Sequence, residues 1–342
     1  MLMEPRRVDI HAHHVGRDLI DDVRARPGRY GLRLEVDGTG ERLRFPDGSL
    51  VRPFFRELWD LDLRIAAMDA QAVAVQAIST WTDIFGDGLL AGEQAVAWAR
   101  LQNESLAAAA HQRPDRLVAL GALPLPDSAA AVAELEYCAS SLGMRGVEIG
   151  TSTAGLNLDE PVLEPVWTAL EERDMLVLLH PPRQTAAGQR TERYFLNNLV
   201  GNPLETVLAA SALVFGGVLE RHPHLQIVLP HAGGYFPYQV GRLDRGFAAK
   251  DECRAHTRQP PSAYLRRFWY DTLAFRPDTL AFLASVVGLD RLMFGTDYPF
   301  PMQDPDAVRT VEAALPEAKL EATWSGNART LLGLASSRTS WN

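Results

Sequence analysis

Eight short apolar runs recur along this chain, separated by stretches with helical spacing. The runs fall at 7–11, 72–78, 117–123, 145–150, 175–180, 225–231, 267–273 and 291–296. Several are almost wholly apolar, the pattern of a strand covered on both faces. Between them, 88–111, 129–142, 164–173, 204–221 and 277–287 carry helical spacing and composition. Strands alternating with helices eight times predict an α/β fold, a (β/α)8 TIM-type barrel. One stretch breaks the rhythm. Residues 33–45 alternate around Asp37-Gly38, a β-hairpin signal. It lies between the first two runs. The expectation is one barrel domain over 1–342, with a small hairpin-bearing insertion, 17–58, at the mouth. No internal repeat or low-complexity linker interrupts it, and the polar tail 336–342 is expected to fray.

Charge and composition exclude some function classes. Lys and Arg number 34 against 43 Asp and Glu, a net charge of −9 with no basic run. Such a chain is a poor nucleic-acid ligand. No run of 18 apolar residues is seen, so no membrane span is expected. The leading residues lack the apolar core of a signal peptide. Cys138 and Cys253 sit far apart in expected helices and form no CxxC or disulfide framework. That predicts a reducing, cytoplasmic setting.

Polar residues at the ends of the runs carry the chemistry. The first run leads into His11-Ala12-His13, whose imidazoles share one face at i and i+2. The fifth run ends at His180, the sixth at His231, and the eighth leads into Asp297. Strand C-termini meet at the mouth where barrel enzymes keep their active sites. Imidazoles and a carboxylate with an open position suit zinc or a similar divalent ion. Such an ion lowers the pKa of a bound water toward neutrality. A lone histidine at a strand end is more often a hydrogen-bonded structural residue; it is the set that points to a metal. His111, His222, His224 and His256 lie in helical or helix-to-strand segments and are expected on the solvated surface. His14 is expected to face away. Trp59, Trp81 and Phe85 read as core or pocket wall, and Phe294 as core.

The same residues occur among longer motifs. These include Val51-Arg52-Pro53, Leu58-Trp59-Asp60, Met68-Asp69-Ala70-Gln71 and His231-Ala232-Gly233-Gly234. Gly241-Arg242-Leu243-Asp244, Gly295-Thr296-Asp297-Tyr298-Pro299-Phe300-Pro301 and Gly326-Asn327-Ala328 follow in order. Together they resemble the amidohydrolase superfamily, in particular the branch of 2-amino-3-carboxymuconate-6-semialdehyde decarboxylase and related metal-dependent decarboxylases. The resemblance implies one divalent metal, zinc ahead of manganese, held by His11, His13, His180 and Asp297, with no organic cofactor. It implies His231 as the acid/base that activates a metal-bound water and moves a proton. It implies Arg52 as a binder of the substrate carboxylate, and Arg242 as an arginine reaching the neighbouring site of a homodimer. The implied reaction is non-oxidative loss of CO₂ from an unsaturated or aromatic carboxylic acid, carbon–carbon lyase chemistry. A hydrolase or hydratase on the same centre is the alternative, and a non-catalytic barrel that binds a small acid is a third. No middle strand ends in a lysine suited to bridging two metals, so the centre is expected to be mononuclear.

The sequence departs from that branch at the mouth. Tyr194 stands where the branch has tryptophan, and Pro181-Pro182-Arg183 replaces its Pro-Trp-Asp. His14-Val15-Gly16 lacks its aromatic–proline pattern. Tyr194 is thus expected to bind substrate, and the substrate to carry an additional acidic or hydroxyl group.

Overall fold

The computed structural model describes residues 7–334. The expectations for the leading segment and for the tail 336–342 lie outside the described residues. Among the described residues there are ten strands: β1 (Arg7–His13), β2 (Arg33–Asp37), β3 (Gly40–Arg44), β4 (Val73–Ser79), β5 (Leu117–Ala119), β6 (Gly146–Gly150), β7 (Leu176–His180), β8 (Gln226–Leu229), β9 (Phe268–Asp271) and β10 (Leu292–Met293). Strands β2 and β3 form the antiparallel hairpin, turning at Asp37 and Gly40. The other eight are the expected barrel strands, and all their ladders are parallel.

The ring closes through two links outside the regular ladders. The Gly121 amide donates to the Gly146 carbonyl at 2.9 Å, and the Glu148 amide to the Gly121 carbonyl at 2.7 Å, joining β5 to β6. The Ile10 amide donates to the Phe294 carbonyl at 2.9 Å, and Ala12 bridges to Tyr298, joining β10 to β1. β5 and β10 are therefore shorter than their apolar runs, because the chain leaves regular pairing before the run ends. β8 stops at Leu229 rather than at His231. Pro230 has no N–H to give the ladder, and His231 and Ala232 follow with φ of 54° and 55°.

Side chains alternate across the strands as period two requires. On β7, Val177 and Leu179 join the large apolar cluster, while Leu176 and Leu178 join a smaller one. His180 continues the Leu176–Leu178 face to the strand's C-terminal end. The stretch between β1 and β4 holds a helix at Arg17–Ala25, the hairpin, and a 3₁₀ turn at Arg56–Leu58. Its apolar side chains, among them Leu19, Tyr30 and Phe54, pack with Trp81, Trp98 and Phe300 as a third cluster over the barrel mouth. The segment delivers Arg52 to that mouth.

The helical stretch Asn197–Phe215 is long and apolar enough to cross a membrane by length and composition alone, a property that core helices share. It packs Ala209, Ala210, Leu213 and Val214 into the core as a barrel helix does. His222 also differs from expectation. It is buried and lies 2.9 Å from Glu164 and 3.3 Å from Glu171, so paired carboxylates draw it in from the surface.

Candidate metal centre

The strand ends bring His11, His13, His180, His231 and Asp297 to one place. His13 Nε2 lies 3.2 Å from His11 Nε2 and 3.2 Å from Asp297 Oδ1. His11 Nε2 is 3.6 Å from the same oxygen. The His180 ring centroid is 4.9 Å from that of His13 and 5.2 Å from that of His11. His231 Nε2 is 3.9 Å from Asp297 Oδ2. One ligand atom from each of His11, His180, His231 and Asp297 falls within 4.8 Å of the others.

The hydrogen bonds behind the rings decide which nitrogens face the centre. His11 Nδ1 meets Asp271 Oδ2 at 2.8 Å, His13 Nδ1 the Thr80 carbonyl at 2.8 Å, and His180 Nδ1 the Pro181 carbonyl at 3.0 Å. Each partner only accepts, so each Nδ1 carries a proton, and in its neutral form each ring turns its Nε2 lone pair inward. Two lone pairs at 3.2 Å repel unless a positive group lies between them. A proton relieves only that one contact. His180 Nε2 and Asp297 Oδ1 are also buried without a hydrogen-bond partner. A cation would relieve these contacts, so the donor set fits a divalent metal; the quartet whose ligand atoms lie within 4.8 Å of one another holds His231 rather than His13.

Electrostatics support the same reading. Burial, with His13, His231 and His11 close by, holds His180 well below its ordinary value, the neutral form a ligand needs. Burial also works against charge on His11, but the Asp271 hydrogen bond and the nearby Asp297 outweigh it and raise the ring to about 9 in the metal-free protein. Burial opposes ionisation of Asp297, yet His13 beside it and the charge of His11 keep it below the usual carboxylate range.

His231 is built differently. Its Nδ1 has no partner, while its backbone N–H donates to Asp271 Oδ2 at 3.0 Å. Burial and the charge of His11 hold the ring down at about 4. A neutral imidazole with neither nitrogen committed to a protein acceptor is suited to proton exchange.

A cavity of about 590 Å³ opens from His180 and Asp297 toward Arg52 and Arg183. Arg52 Nε donates to Asp83 Oδ2 at 3.1 Å, and its guanidinium carbon lies 5.0 Å from the Trp81 ring centroid and 5.8 Å from that of Phe300. Trp81 is pocket wall, as the sequence suggested. Tyr194 is not. It is 74% exposed and does not line the cavity; its hydroxyl accepts from Arg193 at 2.9 Å. Tyr194 and Phe195 have φ of 60° and 58°, and the turn presents Phe195 to the cavity in its place. Arg242 is exposed on the helix Phe236–Ala249 and does not line this cavity.

Sequence reasoning missed two carboxylates. Asp271, fully buried at the end of β9, holds His11 and the amides of His231 and Ala232. Glu148, 1% exposed on β6, lies 3.8 Å from His13 Nδ1, and burial raises it to about 7. The available signal was a single carboxylate in each of two apolar strands, costly to bury without a purpose.

A family model described as amidohydrolase matches residues 8–334. A 2-amino-3-carboxymuconate-6-semialdehyde decarboxylase from Dictyostelium discoideum is 32% identical over 332 residues, covering 96% of this chain and 92% of that relative. Among solved structures, the apo form of an IDCase from Metarhizium anisopliae superposes with a TM-score of 0.82 at 26% identity, covering 96% of this chain and 97% of that one. A 2,6-dihydroxybenzoate decarboxylase complexed with 2,6-dihydroxybenzoate superposes with a TM-score of 0.78 at 27% identity, covering 97% of this chain and 100% of the other.

Proposed function

The chain belongs to the amidohydrolase family, and from that premise we propose that it is a metal-dependent non-oxidative decarboxylase, releasing CO₂ from an aromatic or unsaturated carboxylic acid. The observation that carries this reading is one cavity lined by His180 and Asp297 of the candidate metal centre and by Arg52. An anionic substrate bound there meets both.

We assign His11, His13, His180 and Asp297 as ligands of one divalent ion, zinc ahead of manganese, because three nitrogens and one oxygen suit zinc. When bound, the ion supplies the positive charge that holds the anion while the carbon–carbon bond breaks. The remaining work falls to the side chains. Arg52 offers its free guanidinium nitrogens to a carboxylate, with its plane over Trp81 and its Nε tied to Asp83. His231, neutral at rest, takes up a proton at Nε2 and passes it to the carbon bearing the carboxylate. The carbon–carbon bond then breaks, its electron pair returns to the π system, and CO₂ leaves. A hydrogen replaces the carboxylate, so no oxidant or organic cofactor is required.

Arg242 we assign to the neighbouring site of a homodimer. A second opening, about 420 Å³, leads to His231 past Leu199, Tyr238 and Phe275. Leu199 is 47% and Phe275 45% exposed, an apolar rim suited to a second copy. The two unpaired cysteines suit a reducing compartment, and we place the enzyme in the cytoplasm.

The test is a panel of hydroxylated benzoic acids and carboxylated unsaturated acids set beside lactones and amides. The reading predicts CO₂ from at least one acid, abolished by chelation and restored by divalent metal. Hydrolysis of a lactone or amide without CO₂ release from any acid contradicts it.

A further inference from the structure

Arg183 lines the cavity, and the proposed chemistry leaves it unused. It stands on the loop after β7, and its backbone carbonyl accepts from Asn197 Nδ2 at 2.9 Å. Arg52 is already tied to Asp83. The Arg183 guanidinium makes no hydrogen bond or ion pair among the described residues. Asp47, on the mouth segment, feels its charge, but that carboxyl is held low chiefly by Ser49. Arg183 is half-buried and lines two cavities at once, the one that reaches His180 and Asp297 and a second of about 510 Å³. Thr82, Asp83 and Pro182 are the other residues the two cavities share, so Arg183 stands at the neck between them.

Charge balance gives this position a meaning. In the first cavity Asp83 offsets Arg52, and Asp297 removes one of the two positive charges of a divalent ion. Arg183 has no ion-pair partner in the cavity lining, and Asp47 feels its charge without pairing with it. One carboxylate on the substrate leaves net positive charge in the cavity, and a second anionic group neutralises it. A half-buried guanidinium with free donors binds a carboxylate in a planar fork.

Resting on the decarboxylase reading, we infer that Arg183 determines specificity for a doubly anionic substrate, holding at the cavity neck a second carboxylate that is not lost in the reaction. The substrate class is thereby a dicarboxylic aromatic or unsaturated acid rather than a simple monocarboxylate.

Calorimetric binding of benzoate and of benzene-1,3-dicarboxylate to the metal-loaded protein tests this without turnover. The dicarboxylate is expected to bind roughly tenfold tighter or more, the size of a charge-assisted hydrogen-bonded pair. Arg183→Gln, with its fold checked by circular dichroism, is expected to bring the ratio of the two affinities toward one. Arg183→Lys is expected to keep part of the preference. No preference in the unaltered protein, or a preference retained in Arg183→Gln, overturns the proposal. CO₂ release is read separately, so a failed decarboxylase reading leaves this ratio standing, and a flat ratio leaves CO₂ release standing.

Discussion

Asp271 Oδ2 accepts from His11 Nδ1 at 2.8 Å, and the same carboxylate accepts from the backbone amides of His231 and Ala232 at 3.0 and 2.7 Å. One buried side chain thus fixes the tautomer of a candidate metal ligand and the turn that carries the candidate acid/base. Burial alone favours its neutral form, but the hydrogen bond and charge of His11 keep it ionised. Asp271→Asn loses that charge and allows an amide N–H to face His11 Nδ1. We expect metal affinity to fall about 10- to 100-fold, the range for partners behind a metal-bound histidine. Competition against a chelator of known affinity measures it; unchanged affinity means that Asp271 serves only the fold.

His231→Ala should separate chemistry from metal binding. The variant is expected to keep its metal, by elemental analysis, and to lose turnover by about two orders of magnitude or more. Loss of metal along with activity would instead make His231 a ligand, which its closeness to Asp297 also allows geometrically.

The shared arginine has a sharper test. His231→Ala and Arg242→Ala proteins, each nearly inactive, are unfolded and refolded together in equal amounts. Random pairing makes half the dimers hybrid, and each hybrid holds one intact site if Arg242 serves its partner. About a quarter of full activity should then return. If hybrids form and activity stays at the parental level, Arg242 does not act across the interface.

Asp87 predicts a pH dependence of stability away from the metal. Burial raises its carboxyl from 3.8 to about 8. Between those values the folded protein keeps a proton that the unfolded chain has released. This group therefore lowers stability as pH rises from about 4 to 8. Asp87→Asn removes the effect. The Tm of the variant should exceed that of the unaltered protein by a margin that widens from pH 5 to pH 8. A margin independent of pH contradicts the assignment.

The barrel was legible because eight apolar runs report a sheet buried on both faces, a signal local to each strand. His11 and His13 were legible from period two, and His180 from its place at a strand end. What sequence could not supply was adjacency. Asp271 and Glu148 acquire meaning only when β9 and β6 set them beside histidines hundreds of residues or several strands away. Tyr194 was misplaced for a different reason. Two adjacent aromatics both adopt positive φ, and a loop's backbone decides which one turns inward. The sequence set His231 at the end of its strand, but Pro230 ends β8 before it, so a turn rather than the strand's pleat aims the ring.

The proposed chemistry depends on a single divalent ion held by His11, His13, His180 and Asp297. Crystals of protein purified without chelator can be measured on both sides of the zinc and manganese absorption edges. One anomalous peak per chain is expected, about 2.0–2.2 Å from the Nε2 atoms of the three histidines and from an Asp297 carboxylate oxygen. A peak elsewhere, or fully metal-loaded protein whose peak persists in His180→Ala, contradicts it.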